Sequence, residues 1–139
     1  MSLMNINELQ EKVESLALLT GASPHSINLR TSPADDGAPY ISFENNKYNY
    51  IFSERGYEFF RRVTDSSDEI LYWIMLDFVH DIAVAYELKH RVQNKDGRRI
   101  YFPKIVELMS EMKSEWGCKA QQEIDETLRQ SPYDDALYK

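Results

Sequence analysis

The sequence is poor in cysteine and has no excess of positive charge. Its one cysteine, Cys118, leaves no possibility of an internal disulfide, as is typical of proteins from a reducing cytoplasm. The 139 residues carry a formal net charge of −7. Because nucleic acids and anionic membranes bind cationic surfaces, we expect neither as a direct ligand. The acidic charge is compatible with a cationic protein partner, and it is also a common means of keeping a cytosolic protein soluble.

The sequence also lacks the short motifs that usually carry catalysis in a chain of this size. It has no Gly-rich phosphate loop, no dinucleotide fingerprint and no zinc-ligand spacing. No histidine belongs to a serine or cysteine nucleophile signature. We therefore predict a protein that is not an enzyme, with no catalytic residue, no metal and no cofactor.

Two targeting features are missing as well. No basic segment precedes an apolar run near the first residue, so we expect no signal peptide. The longest apolar stretch is interrupted by Asp77, His80, Asp81 and Glu87, which argues against a membrane span. We expect a cytoplasmic protein, and we interpret residues 1–3 as a remnant of an expression vector.

Glycine and proline are absent from residues 57–96, although the chain has five of each. Within this gap, residues 66–91 are mostly apolar at helical spacing and predict one long helix. Ser66 followed by Glu69 matches the capping box at its start, and cationic residues lie at its other end, where the helix dipole favours them. The capping signals and the hydrophobic period thus agree on the longest element of the chain.

The remaining predicted elements are shorter. Hydrophobic spacing predicts three further helices, at residues 7–20, from Pro103 to Met112 and at 114–130. Alternation predicts strands at 26–31, 40–44, 47–53 and 57–64, with a type I′ turn at Asn45-Asn46. We predict a single α+β domain over residues 1–139, in which a small antiparallel meander of three or four strands packs on the long helix. Three further helices and a C-terminal tail at 132–139 complete it.

On a helical wheel, the long helix has an apolar arc from Leu71 to Tyr86 and, on its other side, a charged stripe. The stripe consists of Asp77, His80, Asp81, Glu87 and Arg91, with Trp73 beside the charges. It could bind a protein partner, with Trp73 as an aromatic anchor. Asp77, His80 and Asp81 could instead hold a metal, as in a small-ligand protein or an enzyme. It could also be a solvated or half-buried face on which Glu87 pairs with Arg91.

Two arginine pairs, Arg61-Arg62 and Arg98-Arg99, flank the long helix. Adjacent residues in a strand point to opposite faces, so one arginine of each pair could reach inward and hold a buried carboxylate. A phosphate site is the functional alternative, but no Gly-rich loop accompanies either pair. We therefore predict structural ion pairs.

The tyrosines of the predicted sheet permit another interpretation. Tyr48, Tyr50 and Tyr57 could form one face through which two copies of the chain pair, as in a homodimeric adaptor module. The sequence leaves monomer and homodimer undecided.

An ordered set of residues extends from about Tyr40 to Asp135. It consists of Ser53-Glu54-Arg55-Gly56, Arg61-Arg62, Thr64, Asp68-Glu69-Ile70-Leu71-Tyr72-Trp73, Tyr86-Glu87-Leu88, Arg91, Asp96, Arg98-Arg99, Phe102, Trp116 and Pro132-Tyr133-Asp134-Asp135. In this order the set resembles the immunity protein 63 family of bacterial polymorphic toxin systems.

The resemblance implies a cytoplasmic antitoxin that binds the toxin domain of a secreted bacterial effector and blocks it by protein–protein interaction. Such toxins are often nucleases, which are commonly cationic, so an acidic inhibitor would suit them. The resemblance carries over no interface residue. For the contact with the partner we expect the stripe of the long helix, which comprises Trp73, Asp77, His80, Asp81, Glu87 and Arg91.

Overall fold

A computed structural model describes residues 3–23, 25–33 and 36–138. Met1 and Ser2 of the expected vector remnant and Lys139 of the expected tail lie outside the described residues. The elements, in chain order, are α1 (Ile6–Leu19), β1 (Asp36–Glu44), β2 (Lys47–Glu54), β3 (Tyr57–Thr64), α2 (Ser67–Lys89), α3 (Arg98–Met112), α4 (Ser114–Gln130) and a 3-10 helix (Asp135–Tyr138). The predicted α+β class is confirmed.

The described chain forms two compact units. Unit 1 contains α1 up to Ala17, the segment from Ser23 onward, the sheet, and α2 up to Ile74. Unit 2 contains Leu18–Ala22, α2 from Met75, then α3, α4 and the 3-10 helix. The organisation of residues 1–139 as a single domain stays a prediction.

Unit 1 contains a three-stranded antiparallel sheet in the order β1-β2-β3. Asn45 and Asn46 join β1 to β2 with φ values of 55° and 58°, as the predicted type I′ turn requires. Arg55 and Gly56 join β2 to β3 with φ values of 53° and 78°. The predicted meander is therefore confirmed, with both of its connections made by two-residue turns.

The prediction of a strand at 26–31 is wrong, because these residues form no strand. A side chain of α1 satisfies their backbone groups instead. Gln10 Nε2 donates to Ile27 O at 2.9 Å, and Leu29 N donates to Gln10 Oε1 at 2.8 Å. Ile41 N of β1 donates to Arg30 O at 2.8 Å. The alternating pattern therefore marks an irregular segment that is bonded to β1 at Ile41 and is held by Gln10 of α1.

Two tyrosines of β2 connect the sheet to the rest of unit 1. The Tyr48 hydroxyl donates to Met4 O at 2.5 Å and lies 3.1 Å from Ser67 Oγ, while the Tyr50 ring stacks on Trp73 with 6.4 Å between ring centroids. Both tyrosines are buried, whereas Tyr57 is 70% exposed. The tyrosine face postulated for a homodimer is therefore not one exposed surface, because two of its three members belong to the core.

The start of α2 is the predicted one, but its buried face differs from the predicted arc. Glu69 N donates to Ser66 Oγ at 3.1 Å, which confirms the N-cap. Further along, Ala83 and Glu87 are buried, whereas Tyr86, which the wheel placed in the apolar arc, is exposed. The buried face of α2 therefore includes the Glu87 carboxylate. This carboxylate lies against Gly97 and forms an ion pair with Arg91.

Helix α3 begins at Arg98, earlier than the start expected at Pro103. Asp96 makes this early start possible, because its Oδ1 accepts the Arg98 N–H at 3.0 Å and its carbonyl accepts the Arg99 N–H at 3.0 Å. Pro103 lies inside the helix, where its missing N–H removes the hydrogen bond to the Arg99 carbonyl and its ring crowds that carbonyl. Helix α4 has the predicted bounds. The buried hydrophobic side chains of unit 2 come from all three helices: Met75, Val79, Ala83, Ile105, Leu108, Met109, Trp116, Ala120 and Ile124.

Candidate functional site

The stripe of α2 divides between the two units: Trp73 belongs to unit 1, and Asp77, His80, Asp81, Glu87 and Arg91 belong to unit 2. Asp77, His80 and Asp81 are exposed, and the Asp81 side chain is 91% exposed. His80 Nδ1 lies 4.0 Å from Asp81 Oδ1, and the His80 ring meets Tyr101 edge-on at 5.7 Å. These three side chains form the outward, solvated part of the stripe.

Glu87 and Arg91 form the ion pair that their spacing predicts. Arg91 Nε and Nη2 donate to the two Glu87 carboxylate oxygens at 3.1 Å and 3.0 Å, which is a bidentate arrangement. The Glu87 side chain is only 5% exposed, while that of Arg91 is 58% exposed. Arg91 is thus the more exposed member of the pair, and Glu87 is the buried residue that orients it.

In unit 1, four aromatic side chains and one arginine contact one another in a closed ring, which we call the arginine–aromatic cluster. Its members are Tyr50, Phe52, Phe60, Arg62 and Trp73. The Arg62 guanidinium lies 5.4 Å from the centroid of Phe60 and 5.5 Å from that of Trp73. The remaining contacts are those of Tyr50 with Phe52 at 5.2 Å, of Phe52 with Phe60 at 5.7 Å and of Tyr50 with Trp73. Such cation–π contacts fix the position of a guanidinium without neutralising it.

The register of β3 explains why Arg62, and not Arg61, belongs to this cluster. A two-residue turn with uniform pairing would place Arg61 opposite Tyr50. A shift between Phe52 and Ser53 pairs Phe52 with Phe60 and Tyr50 with Arg62. Arg61 therefore lies on the opposite face, where it binds Glu58 through Nη2 at 2.6 Å and through Nε at 2.9 Å.

In unit 2 a buried carboxylate, Asp96, holds Arg98 and the segment after α4. Arg98 Nη2 and Nε donate to Asp96 Oδ2 at 2.8 Å and 3.0 Å, and Asp134 N donates to the same oxygen at 3.0 Å. Arg98 also donates to the carbonyls of Ser131 and Pro132, each at 2.8 Å. These bonds, chiefly those from Arg98, lower the pKa of Asp96 from 3.8 to about 2. The structural ion pair predicted for the second arginine pair is confirmed here.

A second carboxylate, Asp135, completes this network. Its Oδ1 accepts Arg99 Nε at 2.9 Å and Asp96 N at 2.8 Å, and Lys95 Nζ lies 3.5 Å from its Oδ2. The hydrogen bond from Arg99 is the largest cause of a lowered pKa of Asp135, which is about 2. Residues 132–135, part of the segment expected to be a tail, are therefore fastened to the start of α3.

A concave pocket of about 370 Å³ opens beside this network in unit 2. It is lined by Glu87, Val92, Lys95, Asp96, Gly97, Arg99 and Ile100. Each ionisable side chain in its wall already has an oppositely charged partner within the protein. The charges in the pocket wall are therefore neutralised within the protein, and the ionisable groups stabilise the fold.

The site has no geometry for metal chemistry within the described chain. Over residues 3–23, 25–33 and 36–138, no group of three or more His, Cys, Asp or Glu side chains is arranged to hold a metal ion. In the same residues, no helix has an apolar run long enough to span a membrane.

Comparison with known proteins places the chain in a class, the immunity proteins. The family model described as Immunity protein 63 matches residues 44–126, which is more than half of the chain. The protein therefore belongs to the immunity protein 63 family, and the resemblance found in the sequence is confirmed over a narrower range than Tyr40 to Asp135. No curated protein and no solved structure shows a significant match.

The matched range includes both candidate surfaces, the stripe of α2 and the arginine–aromatic cluster. Sequence reasoning identified Trp73 but missed Phe60 and Arg62 as its neighbours. Their spacing, two residues apart on one strand, indicated a shared face. The register shift that turns this face toward Trp73 left no signal in the residue pattern.

Proposed function

We propose that this protein is an antitoxin that binds the toxin domain of a cognate bacterial effector and blocks it stoichiometrically, without turnover. The membership of the immunity protein 63 family is the observation that carries this proposal. The net charge of −7 supports a cationic partner, such as a nuclease, because opposite charges accelerate and orient association. On this proposal the protein acts in the cytoplasm and needs no cofactor, and the toxin, not nucleic acid, is its ligand.

We further propose that the stripe of α2 contributes to the contact. Asp77, His80 and Asp81 are exposed on successive turns, so a cationic surface could approach them without any change in the helix. Arg91 projects from the buried Glu87 and would be held in a fixed position by it. Trp73 would serve as the aromatic anchor, in keeping with the enrichment of tryptophan among residues that dominate binding energy.

The test is co-expression with the toxin domain encoded next to the gene. Bacteria that produce the toxin domain alone should stop growing, and bacteria that produce both proteins should grow. The purified proteins should form a 1:1 complex by size-exclusion chromatography with mass measurement. If the protein neither restores growth nor binds the toxin domain, the proposal is wrong.

The same measurement decides between this proposal and the homodimeric adaptor. A protein that remains a tight dimer at low concentration and does not dissociate when the toxin domain is added would support the adaptor. A monomer that binds one toxin domain supports the antitoxin.

A further inference from the structure

Arg62 differs from most arginines of this protein because no carboxylate of the described residues binds it. Arg61, Arg91, Arg98, Arg99 and Arg129 each bind a carboxylate of the same unit: Glu58, Glu87, Asp96, Asp135 and Glu126, respectively. Among the described residues, the guanidinium of Arg62 meets only the rings of Phe60 and Trp73. The structure thus holds an unneutralised cation on the surface of a strongly acidic protein.

The rings fix this cation in place. Phe60 and Trp73 both lie within 5.5 Å of the guanidinium, and Trp73 is itself stacked on the buried Tyr50. A side chain held in this way has lost much of its rotamer freedom before any partner arrives, so that binding costs less entropy. The five N–H donors of the guanidinium remain able to bind an acceptor in its plane.

The surroundings of Arg62 have the composition of a binding hot spot. Phe60, whose ring lies 5.4 Å from the guanidinium, is 46% exposed. Exposed aromatic side chains beside an arginine are typical of the few residues that carry most of the energy of a protein interface. This surface belongs entirely to unit 1.

We propose that Arg62 binds an aspartate or glutamate side chain of the toxin domain, with Phe60 and Trp73 covering the pair. The inference deepens the proposed antitoxin function and rests on it. A planar guanidinium binds both oxygens of a carboxylate in parallel, which gives direction as well as energy. The aromatic cover would exclude water and strengthen the pair.

The net negative charge of the protein explains why this contact would fix the orientation in which the toxin domain binds. The chain has 23 acidic residues against 16 cationic ones, so a carboxylate on the partner is repelled over most of the surface. A position with an unpaired arginine is therefore one of the few at which a partner carboxylate is favoured. Contacts of the acidic surface with a cationic toxin would supply attraction, and Arg62 would select one orientation.

The experiment measures binding of the neighbouring toxin domain to the whole protein by isothermal titration calorimetry. Arg62→Gln should weaken the complex at least about tenfold, as expected when a hot-spot arginine is lost. Arg129→Gln, which removes the same charge from the exposed pair with Glu126 on α4, should change affinity by no more than about twofold. Equal weakening by the two variants would show a mere effect of net charge and would overturn the proposal.

The Arg62→Lys variant distinguishes the effect of the planar guanidinium from the effect of its positive charge. Lysine keeps the positive charge but cannot bind two carboxylate oxygens in parallel, so we expect it to recover only part of the lost affinity. Full affinity with lysine would overturn the bidentate contact. The thermal unfolding midpoint of each variant is measured alongside, and a comparison counts only between variants that unfold as the wild type does.

A phosphate could satisfy the same guanidinium, and the experiment includes it as a competing outcome. Inorganic phosphate and a short single-stranded oligonucleotide are titrated into the protein without the toxin. Saturable binding of either that Arg62→Gln abolishes would overturn the carboxylate assignment. Failure of the wild type to bind the toxin domain would reject the antitoxin function itself, whereas wild-type binding that Arg62→Gln leaves intact would reject only the role of Arg62.

Discussion

Gly117 of α4 lies directly against Ser110 of α3. A Cβ atom at position 117 would stand 1.9 Å from Ser110 Oγ, 2.8 Å from Ser110 Cβ and 3.0 Å from Ser110 Cα. Gly117, in the first turn of α4, is therefore the residue that lets the two helices approach. Its low helix propensity costs about 1 kcal/mol relative to alanine, and close packing offsets this cost.

Gly117→Ala should destabilise the protein by about 1–3 kcal/mol, although alanine is the better helix former, because the added methyl group overlaps Ser110. Urea unfolding followed by circular dichroism measures the change. Gln121→Ala, at an exposed position of the same helix, is the control and should have little effect. Adding Ser110→Ala should relieve only part of the loss, because the Ser110 backbone is also close. A Gly117→Ala variant as stable as the wild type would contradict the packing.

Asp96 should make stability depend on pH in the acid range. Its pKa is about 2 in the folded protein and 3.8 ordinarily, so the folded state favours the charged form. The resulting stability is fully present above pH 3.8 and is lost as the pH falls toward 2. Asp96→Asn should remove this part of the acid dependence and should cost about 3 kcal/mol at neutral pH, because Arg98 loses its buried partner.

Urea unfolding at several pH values between 2 and 6 tests this prediction. Asp81→Asn, which changes an almost fully exposed carboxylate, is the matched control and should leave the acid slope as it is. If the Asp96→Asn slope equals that of the wild type, the Asp96–Arg98 pair is not the source of the acid dependence.

Ser66 should stabilise the first turn of α2. Its hydroxyl accepts the Glu69 N–H, so Ser66→Ala leaves that donor without its cap and should cost about 1 kcal/mol. Ser66→Asp keeps an acceptor at this position and adds a negative charge at the helix start, so it should retain the stability. Thermal unfolding of both variants provides the comparison; equal losses would show that the serine contributes something other than a cap.

The exposed acidic part of the stripe should accelerate association with a cationic toxin domain. Asp77→Asn combined with Asp81→Asn should lower the association rate constant several-fold at low ionic strength and less at high ionic strength, because salt screens exposed charges. Stopped-flow fluorescence measures these rates. Glu111→Gln combined with Glu115→Gln removes the same charge from exposed positions at the α3–α4 junction. An equal effect of the two double variants would argue against the stripe as the contact.

Local signals predicted the elements better than they predicted the side-chain surroundings. The cap at Ser66, the turn at Asn45-Asn46 and the bounds of α4 all depend on residues close together in the chain, and the structure confirms them. The early start of α3 depends on a carboxylate that also binds distant backbone groups. A pattern of apolar spacing does not contain that information.

The same limit applied to the candidate site. The wheel assigned Glu87 to the charged stripe but could not show that its carboxylate is buried against Gly97. Arg62 was considered together with Arg61, yet a register shift in β3 gave the two arginines different partners. Both outcomes depend on contacts between residues far apart in the sequence, which only the folded chain defines.

The segment at residues 27–30 covers part of the β1 edge of the sheet. An uncovered edge strand offers free N–H and C=O groups on which another chain can add a strand, and such growth leads to aggregates. Residues 27–30 lie along this edge, with Arg30 bonded to Ile41, and Gln10 occupies the polar groups of Ile27 and Leu29 that would otherwise present a new edge. The Gln10 side chain thereby hinders the addition of a further strand at this segment. Loss of this side chain should appear first as reduced solubility at high protein concentration.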